Sequence, residues 1–245
     1  VQVVIEAAFW GLVSGASLVI GAVLGLTIPV SQRMIGLIMA FGAGVLVSAL
    51  TFDLIEEAFA RGGSDAVAAG LASGALAFFA GDWVIDHHGG SQRKRSGGQQ
   101  EDSGGTAIAL GALMDGIPES VAIGVSLLAG NGVGVAIVAA VFLSNIPESL
   151  SAATGMRKDG RTKHYILGLW TAVMLVSSLA AALGYAFLGN APGNVVAGIQ
   201  AFAAGAILTM LSDTMMPEAF EHGGAVVGLV TVLGFATAFL LSTTG

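Results

Sequence analysis

Two five-residue phrases nearly repeat, 29 residues apart, each inside a long apolar run: Gly116-Ile117-Pro118-Glu119-Ser120 and Asn145-Ile146-Pro147-Glu148-Ser149. A proline within a helix removes one backbone donor and clashes with the carbonyl four residues back. Here the loosened carbonyls are those of Met114 and Leu143. A charged side chain at bilayer depth costs at least about 2.5–3.5 kcal/mol on insertion scales, so it faces a cavity or a partner. Asp115 stands four residues before Glu119, and Ser144 four before Glu148, so each pair shares one helix face. Asn145 covers the adjacent arc. Three carboxylates within coordination distance repel one another unless they are protonated or bridged by a cation. Carboxylate, amide, hydroxyl and loosened carbonyl oxygens together suit a divalent metal, and their hardness leans toward Mn, Mg or Fe(II) as much as Zn. The plainer alternative is a set of protonated acids that hydrogen-bond between helices while the prolines only kink them.

The surrounding composition decides what kind of element carries these residues. The chain has 245 residues, 55% hydrophobic and only 10% charged, with mean hydropathy +0.85. Soluble domains carry roughly 25% charged residues, so the composition is that of a polytopic membrane protein. Cysteine is absent, which excludes disulfides and thiolate metal ligands. The net charge of −7 arises partly from acids inside apolar segments and does not signal an acidic tail. Thirty-seven glycines suit helices that cross closely through small residues, as at Gly11/Gly15, Gly21/Gly25 and Gly224/Gly228. Val1 stands where an initiator methionine would, which leaves room for a preceding segment. Residues 2–28 are too long for a signal peptide and read as a span.

A span needs about 20 mainly apolar residues. On that measure the sequence predicts an all-α bundle of eight transmembrane helices, at roughly 3–28, 35–59, 64–86, 106–129, 132–155, 165–188, 194–216 and 224–243. The whole chain, 1–245, then forms one transmembrane domain. Breaks fall at Pro29, Gly62-Gly63, the Gly/Ser/Gln stretch 89–105, Gly130-Asn131-Gly132 and Ala191-Pro192-Gly193. The nine basic residues are Arg33, Arg61, Arg93, Lys94, Arg95, Arg157, Lys158, Arg161 and Lys163. All but Arg61 lie on one side of such a bundle, and cytoplasmic loops carry the Lys/Arg excess. Both termini are therefore expected outside, in the cell (inner) membrane. The loop from His87 to Gly105 is too polar and small to bury a core and reads as a flexible tether. His87-His88 within it is read as solvated rather than as a metal sensor, and His164 as a surface residue.

Further acids fall along the deduced topology. Asp53 lies in the outer half of the second span, with Glu56 and Glu57 at its mouth. Asp213 lies in the inner half of the seventh, followed by Glu218, Glu221 and His222 toward the inner end. Acids outside, at the midplane and inside are the order expected of a cation pathway. Residues at span ends are commonly just solvated, which weakens the reading for Glu56, Glu57 and Glu221.

These residues resemble the ZIP (Zrt-, Irt-like protein) divalent-metal transporters across essentially the whole chain. The family's fourth-span motif, His-Asn-x-Pro-Glu-Gly, aligns with Asp115-Gly116-Ile117-Pro118-Glu119-Ser120. Its fifth-span motif, a polar pair before Ile-Pro-Glu or Ile-Pro-His, aligns with Ser144-Asn145-Ile146-Pro147-Glu148. The phrase from Ala203-Ala204-Gly205-Ala206 to Pro217-Glu218 is also similar. The resemblance implies a midplane metal site with Glu119 and Glu148 as shared ligands, Asp115 in place of an imidazole, and Asn145 serving a second metal position. It also implies a bundle built partly from inverted repeats. The chain departs from the family where Asp115 replaces histidine and Gly116 replaces asparagine, and Gly116 removes one ligand of the second position.

The leading expectation is transport of a divalent transition metal (Zn, Mn or Fe(II)) toward the cytoplasm, the metal being substrate and no organic cofactor being needed. Loss of imidazole broadens or shifts selectivity toward Mn- and Fe-like ions. The partners are metal ions and the lipid bilayer, with no nucleic acid. A homodimer is compatible with the resemblance, although no sequence feature marks an interface. The first rival is a non-transporting ZIP-like membrane scaffold or metal sensor. An intramembrane hydrolase is disfavoured, because only Asp115 among the aspartates is central and no His-Glu-x-x-His motif occurs. The chain is therefore read as not an enzyme.

Overall fold

The computed structural model describes residues 2–90, 105–129 and 134–244. The Gly130-Asn131-Gly132 break and most of the segment between His87 and Gly105, with its expected flexibility and its Arg93-Lys94-Arg95 run, lie outside the described residues. Among the described residues every regular element is helical. The helices are α1 (Gln2–Thr27), α2 (Gln32–Ala49), α3 (Glu56–Ile85), α4 (Gly105–Ser126), α5 (Val135–Lys158), α6 (Lys163–Leu188), α7 (Gly193–Met210), α8 (Met216–Gly223) and α9 (Val227–Thr244). Local chemistry starts two of them: the Ser31 and Thr162 hydroxyls accept from the amides of Met34 and Tyr165, satisfying helix-end donors.

Six segments are long and apolar enough to cross a membrane, two of them of 57 residues (Gln32–His88) and 50 residues (Gly193–Ser242). A straight helix of that length would run about 75–85 Å, against a hydrocarbon core of about 30 Å. Each long segment contains one glycine in the left-handed region, Gly63 at φ 74° and Gly224 at φ 69°, a conformation that costs other residues a Cβ clash. The contacts show the chain turning back at Gly224. Gly36 of α2 lies against Ala219, His222 and Gly223, and Gly42 against Met215, so the segment before the turn runs antiparallel to α2. Leu37 and Val227 then meet at Gly223, Gly44 lies against Thr231 and Phe235, and Phe52 packs on Phe235 and Phe239, so α9 runs parallel to it. Around Gly63, Ala58 and Val67 share one small core with Ala197 and Ala201, with Ile55 and Leu71 packed against it.

Residues 32–63 and 193–224 are two copies of one unit. Shifted by 161 without gaps, residues 40–63 and 201–224 are identical at ten of 24 positions, among them Gly44/Gly205, Glu57/Glu218, Ala58/Ala219, Phe59/Phe220 and the final Gly-Gly pair. The two units share their helix limits, since α2 and α7 both have 18 residues. Each helix continues into a π-helical turn, Leu50–Ile55 or Leu211–Met215. Their packing is reciprocal. α2 lies on α9, whereas α7 lies on α3 beyond Gly63, where Gly70 and Gly74 meet Ala201 and Phe202.

Backbone-to-backbone contact recurs elsewhere. Gly11 and Gly15 meet Ser177, Ala181 and Met174 of α6, and Gly21 and Gly25 meet Ile146, Ser149 and Leu150 of α5. The third expected glycine pair is corrected: Gly224 is the reversal, and Gly228 has nothing within 4 Å, so it holds no crossing together. A Cβ on Gly44 would fall onto the Thr231 carbonyl oxygen. Gly44→Ala should therefore cost about 1–3 kcal/mol by overpacking. Gly168→Ala, with nothing within 4 Å of its Cβ position, should be neutral or gain about 0.5–1 kcal/mol of helix propensity. Thermal unfolding of both variants in one detergent checks the contrast, and equal melting temperatures would contradict it.

Candidate functional site

The two proline helices bury their polar residues almost completely. Asp115 and Glu119 on α4 are each 1% exposed, and Ser144, Asn145 and Glu148 on α5 are 0%, 3% and 5% exposed. Flanking residues set the rotation of each helix. On α4, Gly116 and Gly124 face Ser177 and Ala181 of α6, while Ile117 and Pro118 border an apolar cavity with Phe78, Phe202 and Ala206. The acids lie on the arc between those two contacts. On α5, Ile146 and Ser149 meet Gly21 of α1, and Ser144 and Pro147 meet Gly42 of α2. Glu148 lies between, so both acid-bearing arcs turn to the interior of the bundle rather than to lipid.

Each phrase carries a second bend device beyond its proline. Ser120 Oγ donates to the Gly116 carbonyl at 2.6 Å, and Ser149 Oγ donates to the Asn145 carbonyl at 2.8 Å. Such bonds from a serine to the carbonyl one turn back bend helices, and here both copies have them at the same place. Asn145 is turned toward α1, where its Nδ2 donates to the Ser14 carbonyl at 3.5 Å. Ser144 Oγ donates to its own helix at Val141.

The expected grouping of Asp115, Glu119 and Glu148 around one cation is not seen among the described residues. Among the described residues no group of three or more His, Asp or Glu side chains stands close enough to hold a metal ion. α4 packs mainly on α6 and α7, and α5 on α1 and α2, with little direct contact between them. A cation held between these helices in this arrangement would need hydroxyl, amide or backbone oxygens beside the carboxylates.

The flanking acids divide into distinct environments. Asp53 Oδ2 has no hydrogen-bond partner among the described residues. Asp53 lines a narrow cavity together with Ser48, Leu143 and Thr237, from α2, α5 and α9; Leu143 is the residue before Ser144. Glu57 pairs with Arg61 on its own helix at 2.5 Å, and Glu56 is exposed. Glu218 is 2% exposed. It accepts from Ser151 Oγ of α5 at 3.3 Å and faces His222 Nε2 at 3.3 Å. Glu57–Arg61 and Glu218–His222 occupy equivalent positions of the two units. Asp213 is exposed and lies near Asp82 and Asp86, and Glu221 is also exposed. His87, His88 and His164 are exposed, and the first two turn a ring nitrogen to the carbonyls of Trp83 and Val84.

Two polar positions escape a search built on carboxylates and prolines. Ser151 reaches Glu218 across 67 residues, a contact with no local signal. Gln200 is fully buried on α7. Its sequence signal is a lone amide in the apolar run 195–208.

No family model matches the chain. A protein of Arabidopsis thaliana named as a candidate zinc transporter is 23% identical over 240 residues, covering 96% of this chain. The chain spans 38% of that relative's length. The helical fold and its long apolar segments define the class as a multi-pass membrane protein.

Removing the Ser151 hydroxyl would take a donor from a buried carboxylate. Ser151→Ala should lower stability by about 1–2 kcal/mol, read as a lower melting temperature in detergent. An unchanged melting temperature would show that this bond contributes nothing.

Proposed function

We propose that the protein carries a divalent transition-metal cation across the membrane toward the cytoplasm, through a site formed by Asp115, Glu119, Ser144, Asn145 and Glu148. The observation that carries this reading is the near-complete burial of three carboxyl-bearing residues on two proline-containing helices within apolar segments. Burial in low dielectric penalises an uncompensated carboxylate strongly, and a cation is the natural compensation. The likeness to the Arabidopsis thaliana protein over nearly the whole chain supports membership of the ZIP family with zinc among the substrates. The oxygen-rich donor set supports Mn and Fe(II) beside it. Asp53 is assigned to the outer approach, and Asp213, Glu218 and Glu221 to the inner one.

The same reading takes the reversals at Gly63 and Gly224 as turns between spans, which makes eight spans, both termini outside, and a cell-membrane location. The chain acts as a transporter rather than a hydrolase. Since it contains no cysteine, single cysteines at the exposed positions 64 and 157 can report sidedness. A membrane-impermeant thiol reagent should label residue 64 from outside and residue 157 only from the cytoplasmic side. Labelling of both from one side would overturn the eight-span arrangement.

A second reading, a non-transporting metal sensor or scaffold, is favoured by the lack of a three-carboxylate or histidine cluster among the described residues. Metal uptake into proteoliposomes separates the two. The parent chain should take up Zn, Mn and Fe(II) at comparable rates, and Glu119→Ala and Glu148→Ala should each reduce uptake at least tenfold. Strict zinc selectivity would contradict the donor-set argument. Absence of uptake by a well-folded parent would favour the sensor.

A further inference from the structure

Gln200 is 0% exposed, and neither its amide oxygen nor its amide nitrogen has a hydrogen-bond partner among the described residues. An amide buried without partners in an apolar interior is destabilising, and native structures rarely keep one without a reason. Packing supplies no such reason. The equivalent position in the first unit, 161 residues earlier, is Met39, an apolar side chain of similar length that is 3% exposed. The scaffold therefore accepts an apolar residue at this point, and the second unit holds a polar one.

The position of Gln200 is informative. Val125 of α4 and Val196 of α7 share a small core, and Pro118 lines one cavity with Phe202 and Ala206 one to two turns further along. Interpolated between those contacts, Gln200 stands about one turn from Glu119, on the Val196 side. Its face of α7 continues through Ala203, Ala204 and Ile207, and the face of Glu119 continues through Ala122 and Ile123. All five belong to one core cluster, so the amide and the carboxylate face the same interior. A neutral amide oxygen is a hard donor that can replace one water of a divalent cation without adding charge.

We propose that Gln200 lines the cation route one turn outward of the Asp115–Glu119 carboxylates and serves as a neutral relay ligand when that route opens. The proposal rests on the transport reading above, and its test includes an arm that needs no transport. Gln200→Met, which copies the other unit, should raise the melting temperature while reducing metal uptake at least fivefold below saturation. A merely structural glutamine would give the opposite sign in stability. In the naturally cysteine-free chain, Gln200→Cys should react with a membrane-impermeant thiol reagent, and Zn or Cd should slow that reaction. Ala201→Cys, whose side chain would face Gly70 of α3, should stay unreactive. Uptake by Gln200→Met equal to that of the parent, or a Gln200→Cys no more reactive than Ala201→Cys, would overturn the proposal. If the parent moves no metal, the transport reading fails, and the labelling arm alone then decides whether Gln200 meets an aqueous route.

Discussion

A carboxyl group within a helix bundle surrounded by lipid has only the protein, or a bound ion, to solvate it. Asp115, Glu119, Glu148 and Glu218 are all 5% exposed or less, and the arrangement of helices follows from accommodating them. Their helices cannot lie at the lipid boundary with these faces outward. α4 is therefore held between α6 and α7, and α5 between α1 and α2. Glu218 has local compensation from Ser151 and His222, whereas the two proline helices direct their acids to the shared interior. The prolines and the back-bonded serines stand at the same register of both helices, and proline weakens the carbonyl bonding one turn back.

Holding such faces inward requires strong contact between the helices on their other sides. Lipid chains are as apolar as leucine, so helices in a membrane associate through close van der Waals contact rather than through a hydrophobic gradient. Gly44 against Thr231, Gly74 against Phe202 and Gly205 against Leu71 bring backbones together where any Cβ would intrude. The same chemistry makes the two reversals, where Gly63 and Gly224 adopt positive φ. Glycine thus serves two physical ends here, close approach along a helix and left-handed backbone at a turn, and Gly228 serves neither.

The duplicated units show how one scaffold carries unequal chemistry. Helix limits, π-helical turns and reversals are kept at a constant offset of 161 residues. The polar contents differ. Glu57 faces a permanent guanidinium, whereas Glu218 faces an imidazole that can be neutral, and Met39 has its counterpart in Gln200. Packing positions tolerate little change because close contact constrains volume. The side chains turned to the interior carry the difference between the halves.

The amino-acid sequence alone determined the helical class, the membrane setting, the proline-acid phrases and the break at Gly62-Gly63. Those features rest on composition, run length and local backbone chemistry, which act within a few residues. The repeat was also present in the sequence, although the aligned pairs emerge clearly once the matching turns are seen. Tertiary structure alone decided that α4 and α5 pack chiefly on other helices, that Asn145 turns to Ser14, that Ser151 reaches Glu218 and that Gln200 is sealed inside. Helix rotation is hard to read from such a chain because lipid-facing and core-facing surfaces are both apolar, so periodicity carries little information about which side is which. Contacts between residues 131 or 67 positions apart depend on that rotation, and only the packed bundle determines it.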